Sequence, residues 1–90
     1  VRFKIVYDTL NPDIEYTDFS VYPNPSTGNF TVEFNTIKDD IYLLEIFDSS
    51  GKLIQKTQFD TNKEIVDLSL LANGIYFFKH EEKVIRVVKI

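Results

Sequence analysis

Cysteine is missing from this 90-residue sequence. That removes disulfides, thiol chemistry and Cys-based zinc sites, so a domain of this length must stand on its core or on a neighbouring unit. Basic residues are outnumbered by acidic ones, and the net charge is −4. A nucleic-acid binder needs a basic surplus to neutralise phosphates, so that class is excluded. No apolar run approaches the ~20 residues of a membrane-crossing helix, which argues against direct membrane insertion. Glycine occurs three times, at Gly28, Gly51 and Gly74, and no phosphate-cradling glycine-rich loop exists. Residue 1 is not Met, and Val1-Arg2-Phe3-Lys4-Ile5 is no signal peptide. The expectation is a piece of a longer protein whose targeting signal lies upstream.

What is present is apolar and aromatic. Hydrophobic residues make up 43% and aromatics 14%, with eight Phe, too much for a disordered tail. The length fits one domain that buries about 60–65% of its unfolded surface, hence a modest core. Arg2 to Tyr7 alternates as a short strand. Asp8 to Asp18 carries only acidic charge and includes Asn11-Pro12, a linker signal, so a boundary is placed there. Residues 1–18 then form an N-terminal strand and acidic linker, and residues 19–90 form the domain proper.

From Phe19 the periodicity is that of strands. Phe19 and Val21 face one way, Ser20 and Tyr22 the other. Phe30, Val32 and Phe34 make an apolar face opposite Thr31 and Glu33. Residues 41–47 are apolar except Glu45, which predicts a central strand covered on both sides. Residues 53–59, 64–68, 75–78 and 84–90 complete about seven strands, with turn signals every 8–12 residues, and the pattern favours an all-β antiparallel sandwich. One helical turn is expected at residues 69–74, with Ser69 as its cap, Gly74 ending it, and Leu68 and Leu71 pinning it to the core.

Three segments carry turn chemistry. In Pro23-Asn24-Pro25 each proline fixes its own φ, restricts the residue before it to extended geometry and removes a backbone donor, so the segment belongs at a sheet edge leading into a hairpin. Gly28 can take positive φ at the turn into the next strand. In Asp48-Ser49-Ser50-Gly51 the carboxylate can accept backbone N–H bonds, and Gly51 suits a left-handed exit. Asn73-Gly74 is a further turn.

Catalytic chemistry finds little support. His80 is the only histidine and reads as a solvated strand-end residue beside Glu81 and Glu82. Asp39-Asp40 matches no cation-loop spacing and reads as a solvated turn. No cofactor is implied, and the expectation is that the chain is not an enzyme. Lys79, Lys83, Arg86 and Lys89 make the end of the chain basic, against an acidic stretch before residue 19. That asymmetry fits charged protection of edge strands. It equally fits a terminal strand offered to a receptor by strand addition.

Taken in order, four motifs resemble a known family over about residues 19–90. They are Tyr22-Pro23-Asn24-Pro25 with Gly28 and Phe30, Ile46-Phe47-Asp48 with Gly51-Lys52, Asp67-Leu68-Ser69 with Leu71, Gly74 and Tyr76, and a Lys/Arg-bearing strand ending at Ile90. The family is the type A C-terminal sorting domain of the type IX secretion system, found on proteins exported by Bacteroidetes. The resemblance implies a seven-stranded Ig-like sandwich at the end of a larger cargo protein. It implies cargo that folds in the periplasm, recognition by the outer-membrane translocon and its shuttle protein, and delivery to the cell surface or medium. A surface sortase commonly removes such domains. The family positions correspond here to Pro23, Asn24, Pro25, Gly28, Asp48, Gly51, Lys52, Leu71, Gly74 and Tyr76. The terminal residues Val84, Ile85, Arg86, Val87, Val88, Lys89 and Ile90 are the candidates for direct translocon contact. Any cleavage is expected between Asp8 and Asp18, where the chain is acidic and contains proline. The competing reading is an Ig-like adhesion or carbohydrate-binding module using Tyr7, Tyr16 or Tyr42 as a sugar platform.

Overall fold

A computed structural model describes residues 18–35 and 41–90. The expected strand over residues 2–7, most of the acidic linker, Tyr7, Tyr16 and Asp39-Asp40 lie outside the described residues. Seven strands follow: β1 Phe19–Tyr22, β2 Asn29–Phe34, β3 Tyr42–Asp48, β4 Leu53–Phe59, β5 Lys63–Asp67, β6 Gly74–His80 and β7 Lys83–Lys89. They form a three-stranded sheet in the order β1-β2-β5 and a four-stranded sheet in the order β4-β3-β6-β7. All pairings within the sheets are antiparallel. Strands one, two and five on one side and three, four, six and seven on the other make the Ig-like sandwich that the resemblance implied.

Alternation builds the core. Phe19, Phe30, Val32 and Phe34 from one sheet meet Tyr42, Leu44, Ile46, Tyr76, Phe78 and Val87 from the other, with Phe59, Val66 and Leu68 closing the sides. Antiparallel pairing makes β1 run with β5 and β3 with β7, and the parallel Ser26–Lys89 bridge just beyond β1 aligns the two sheets, so all four strands run toward one end of the sandwich, here the distal pole. Asp18 lies at the opposite, proximal pole, beside the ends of β2, β4 and β6.

Three sequence expectations are corrected. β3 is central, but it is covered on one face only: Tyr42, Leu44 and Ile46 are buried, whereas Ile41 is 56% and Leu43 37% exposed. An antiparallel sheet in a two-layer sandwich has one packed face, so an apolar run does not by itself bring a second cover. No helical turn forms between β5 and β6. The Leu71 amide donates to the Leu68 carbonyl in a simple turn, and Ser69 is held by Asp67 rather than acting as a cap. Leu68 is buried while Leu71 is 38% exposed, so one leucine anchors the loop. A single turn of helix cannot recover its nucleation cost in so short a connection. His80 stands at a strand end as expected, but it is 4% exposed and not solvated. Its ring packs edge-on against Phe34 at 4.8 Å, and Nδ1 donates to the Leu43 carbonyl at 2.7 Å.

Candidate functional site: the distal pole and the terminal strand

The three turn segments and the end of the chain meet at the distal pole. The β3–β4 turn is built on Asp48. Its Oδ1 accepts from the Ser50 amide (2.9 Å), the Ser50 hydroxyl (2.6 Å) and the Lys52 amide (3.0 Å). The Asp48 amide donates to the Lys52 carbonyl, and Gly51, at φ 88°, donates to the Asp48 carbonyl. These donors, led by the Ser50 hydroxyl, hold the Asp48 carboxyl below its ordinary pKa of 3.8. Asp67 is lowered in the same way by the side chain and amide of Ser69.

Gly28 brings a second pair of motifs together. The Leu68 amide donates to the Gly28 carbonyl at 2.7 Å. A Cβ at Gly28 would lie 2.7 Å from Ser69 Cα, and φ there is 152°. Only glycine allows the chain to pass so close to the Asp67-Leu68-Ser69 corner. Tyr76, near the start of β6, donates its hydroxyl to the Ala72 carbonyl four residues upstream at 2.6 Å. That is the tyrosine corner of Ig-like sandwiches.

The proline segment does more than end β1. After Tyr22 the chain leaves the three-stranded sheet and crosses to the edge of β7. The peptide bonds preceding Pro23 and Pro25 are cis. Asn24 Nδ2 donates to the Arg86 carbonyl and Asn24 Oδ1 accepts from the Val88 amide, both at 2.9 Å. Ser26 continues the pattern with its backbone, donating to the Val88 carbonyl and accepting from the Ile90 amide. Ser26 and Lys89 thus form a parallel bridge. One amide side chain and one serine backbone therefore stand in for a further strand along the outer edge of β7. Lys89 is buried at this pole and donates Nζ to Asn73 Oδ1 at 2.8 Å. At the proximal end of the same seam, Lys83 Nζ bonds Asp18 Oδ1, and that contact is the chief cause of the lowered Asp18 pKa.

Residues 20–90 match the model of a family described as the secretion system C-terminal sorting domain. The chain belongs to this family. No curated protein matches it. As a type IX sorting domain it is a secretion signal, it interacts with the type IX machinery, and its family is one of export to the cell surface or medium.

The sorting domain brings Asn24, Gly28, Asp48, Gly51, Lys52, Gly74 and Tyr76 to one pole with the end of β7. Pro23 and Pro25 are exposed and flank the crossing. Leu71 sits in the β5–β6 loop. Of the terminal residues, Val87 and Lys89 face the core, whereas Val84, Arg86 and Val88 point outward. Backbone strand addition along the outer edge of β7 from Arg86 to Ile90 would first require the Asn24 and Ser26 bonds to open. Sequence reasoning misses Ser26 and Asn73 as parts of this site. For Ser26 the available signal was its place directly after two prolines that free the backbone from β1. Tyr42 cannot serve as a sugar platform, since it is 2% exposed and stacks on Phe34 at 4.3 Å.

Proposed function

We propose that this chain is a non-catalytic recognition module that directs a cargo attached ahead of residue 19 through the type IX outer-membrane translocon. The domain proper is residues 19–90. The cargo reaches the periplasm, the outer-membrane shuttle protein and translocon receive the folded tail, and a surface sortase acts on chains that are cleaved, between Asp8 and Asp18. The observation that supports this reading is that the turn segments converge on one pole, where Asn24, Ser26 and Asn73 bond the end of the terminal strand, while Asp18, the last residue of the acidic stretch, lies at the other. A receptor approaching the distal pole would meet the motif turns and the end of β7 without contacting cargo.

Export of a fluorescent reporter tests it. Placed behind a signal peptide and ahead of residues 1–90, the reporter is expected in the medium or on the surface of a Bacteroidetes cell. Removing residues 84–90 should trap it in the periplasm, and equal export of both forms would defeat the reading. Because that deletion removes the buried Val87, Asn24→Ala serves as a milder companion: reduced export with an intact β circular dichroism spectrum is the expected result. Mass spectrometry of the exported cargo tests the cleavage region, and a mature C-terminus beyond Phe19 would count against it.

A further inference from the structure

We propose that the outward face of the four-stranded sheet is a docking surface for a protein partner with an apolar centre and an acidic rim. The proposal rests on the sorting reading and adds to it the surface and chemistry of the contact. The two outward faces of the sandwich differ. On the three-stranded sheet, Ser20, Glu33 and Lys63 form one cross-strand row and Tyr22, Thr31 and Ile65 the next. Tyr22 there donates its hydroxyl to Glu33 Oε1. Polar side chains dominate this face, and its exposed apolar residues, Ile65 at 68% and Tyr22 at 39%, stand in a row with Thr31 between them. On the four-stranded sheet the corresponding row is Leu53, Phe47, Phe77 and Arg86, and Ile75 pairs with Val88 beside it. Phe47 and Phe77 are direct cross-strand partners and are only half-buried, and Leu53 is exposed.

Strand formation does not require these residues. Threonine or tyrosine would satisfy the pleat equally well at outward positions. Contiguous apolar side chains on the solvent face of a small domain mark an interaction site. The charges around them identify the occupant. Lys56, Lys79 and Arg86 lie on this face with Glu45 as the acid between the first two. The face is therefore basic, whereas the chain carries −4 overall. A second copy would set basic rim against basic rim, which disfavours self-association. An acidic rim complements it. The outward side chains of β7 belong to the same face, so the terminal strand is presented through its face while its edge is held by Asn24 and Ser26.

The test places a photoreactive phenylalanine analogue at position 77, and separately at position 65 on the other sheet, in the reporter fused to residues 1–90. Crosslinking in cells from position 77 to the translocon or shuttle protein, identified by mass spectrometry, and none from position 65, is the expected result. Arg86→Glu should cut export about tenfold with an unchanged melting curve, while Lys63→Glu should leave export unchanged. Adducts from position 77 only to lipid or to a second copy of the chain, equal adducts from both positions, or unchanged export of the Arg86→Glu form would overturn the proposal. Failure of the unmodified chain to be exported would instead overturn the sorting reading, and this proposal with it.

Discussion

The two poles of the sandwich are held together by different physics. At the distal pole, carboxylate, amide and hydroxyl groups hydrogen-bond the backbone, and Gly28 lets two loops touch. At the proximal pole the described residues make an aromatic cluster. Phe34 is its hub, lying 5.6 Å from Phe19, 4.3 Å from Tyr42, 6.2 Å from Phe59 and 4.8 Å from His80 by ring centroids. Packing of this kind tolerates exchange of one apolar residue for another of similar volume. A turn built on a carboxylate or on a positive φ tolerates very few exchanges. Asp48, Gly28 and Gly51 therefore sit where residue identity is dictated, whereas the proximal pole depends on apolar and aromatic composition.

The comparison can be broken at either end. Phe34→Ala should have the largest effect, costing about 3–5 kcal/mol in urea unfolding because it removes the hub of the cluster. Gly28→Ala should follow at about 2–4 kcal/mol, combining an unfavourable φ with collision against the Ser69 backbone. Gly51→Ala sharpens the point. Its φ is 88° and nothing among the described residues lies within 4 Å of the added Cβ, so only about 1 kcal/mol should be lost. Equal costs at the two glycines would show that close approach is not what Gly28 provides.

Asn24→Ala should cost about 1 kcal/mol and raise the hydrogen-exchange rate of the Val88 amide, with little change in the middle of β3. Unchanged Val88 protection would mean that Asn24 does not hold the strand. The smallest effect is in acid. Asp48, Asp67 and Asp18 all have folded pKa values below the ordinary 3.8. Their contribution is complete above that value and is lost as pH falls through the lower folded values. Unfolding midpoints should therefore drop below about pH 4. Asp48→Asn together with Asp67→Asn should flatten that drop more than Asp18→Asn does, because two of the three carboxylates serve the distal pole. A larger effect from Asp18 would reverse the ranking of the poles.

Much of this architecture was legible along the chain, and the failures share a cause. Period-two alternation placed Phe19 and Val21, and Phe30, Val32 and Phe34, on the correct faces because strand geometry is local. The Asp48 turn was legible for the same reason: its acceptor and donors lie within four residues. The burial of His80 was not legible, since it depends on a carbonyl 37 residues away. The clasp of Asn24 on β7 spans 62 and 64 residues, and proline chemistry reveals only that the segment must leave its sheet. The apolar run at residues 41–47 implies two covered faces, whereas the sandwich covers one, and the half-buried Phe47 on the other is where a partner is proposed.

The order of residues alone determined that this chain is built of strands, where it turns, and which residue types those turns demand, because φ preferences and side-chain alternation act over a few positions. It also carried the family pattern. Only the folded sandwich decided that the separated motifs share a pole, that Asn24 and Ser26 complete the edge of the terminal strand, and that one sheet turns Phe47 and Phe77 outward. Those outcomes depend on which strands pair and how two sheets stack. That choice is made by the burial of the whole core at once, and no short stretch of the chain encodes it.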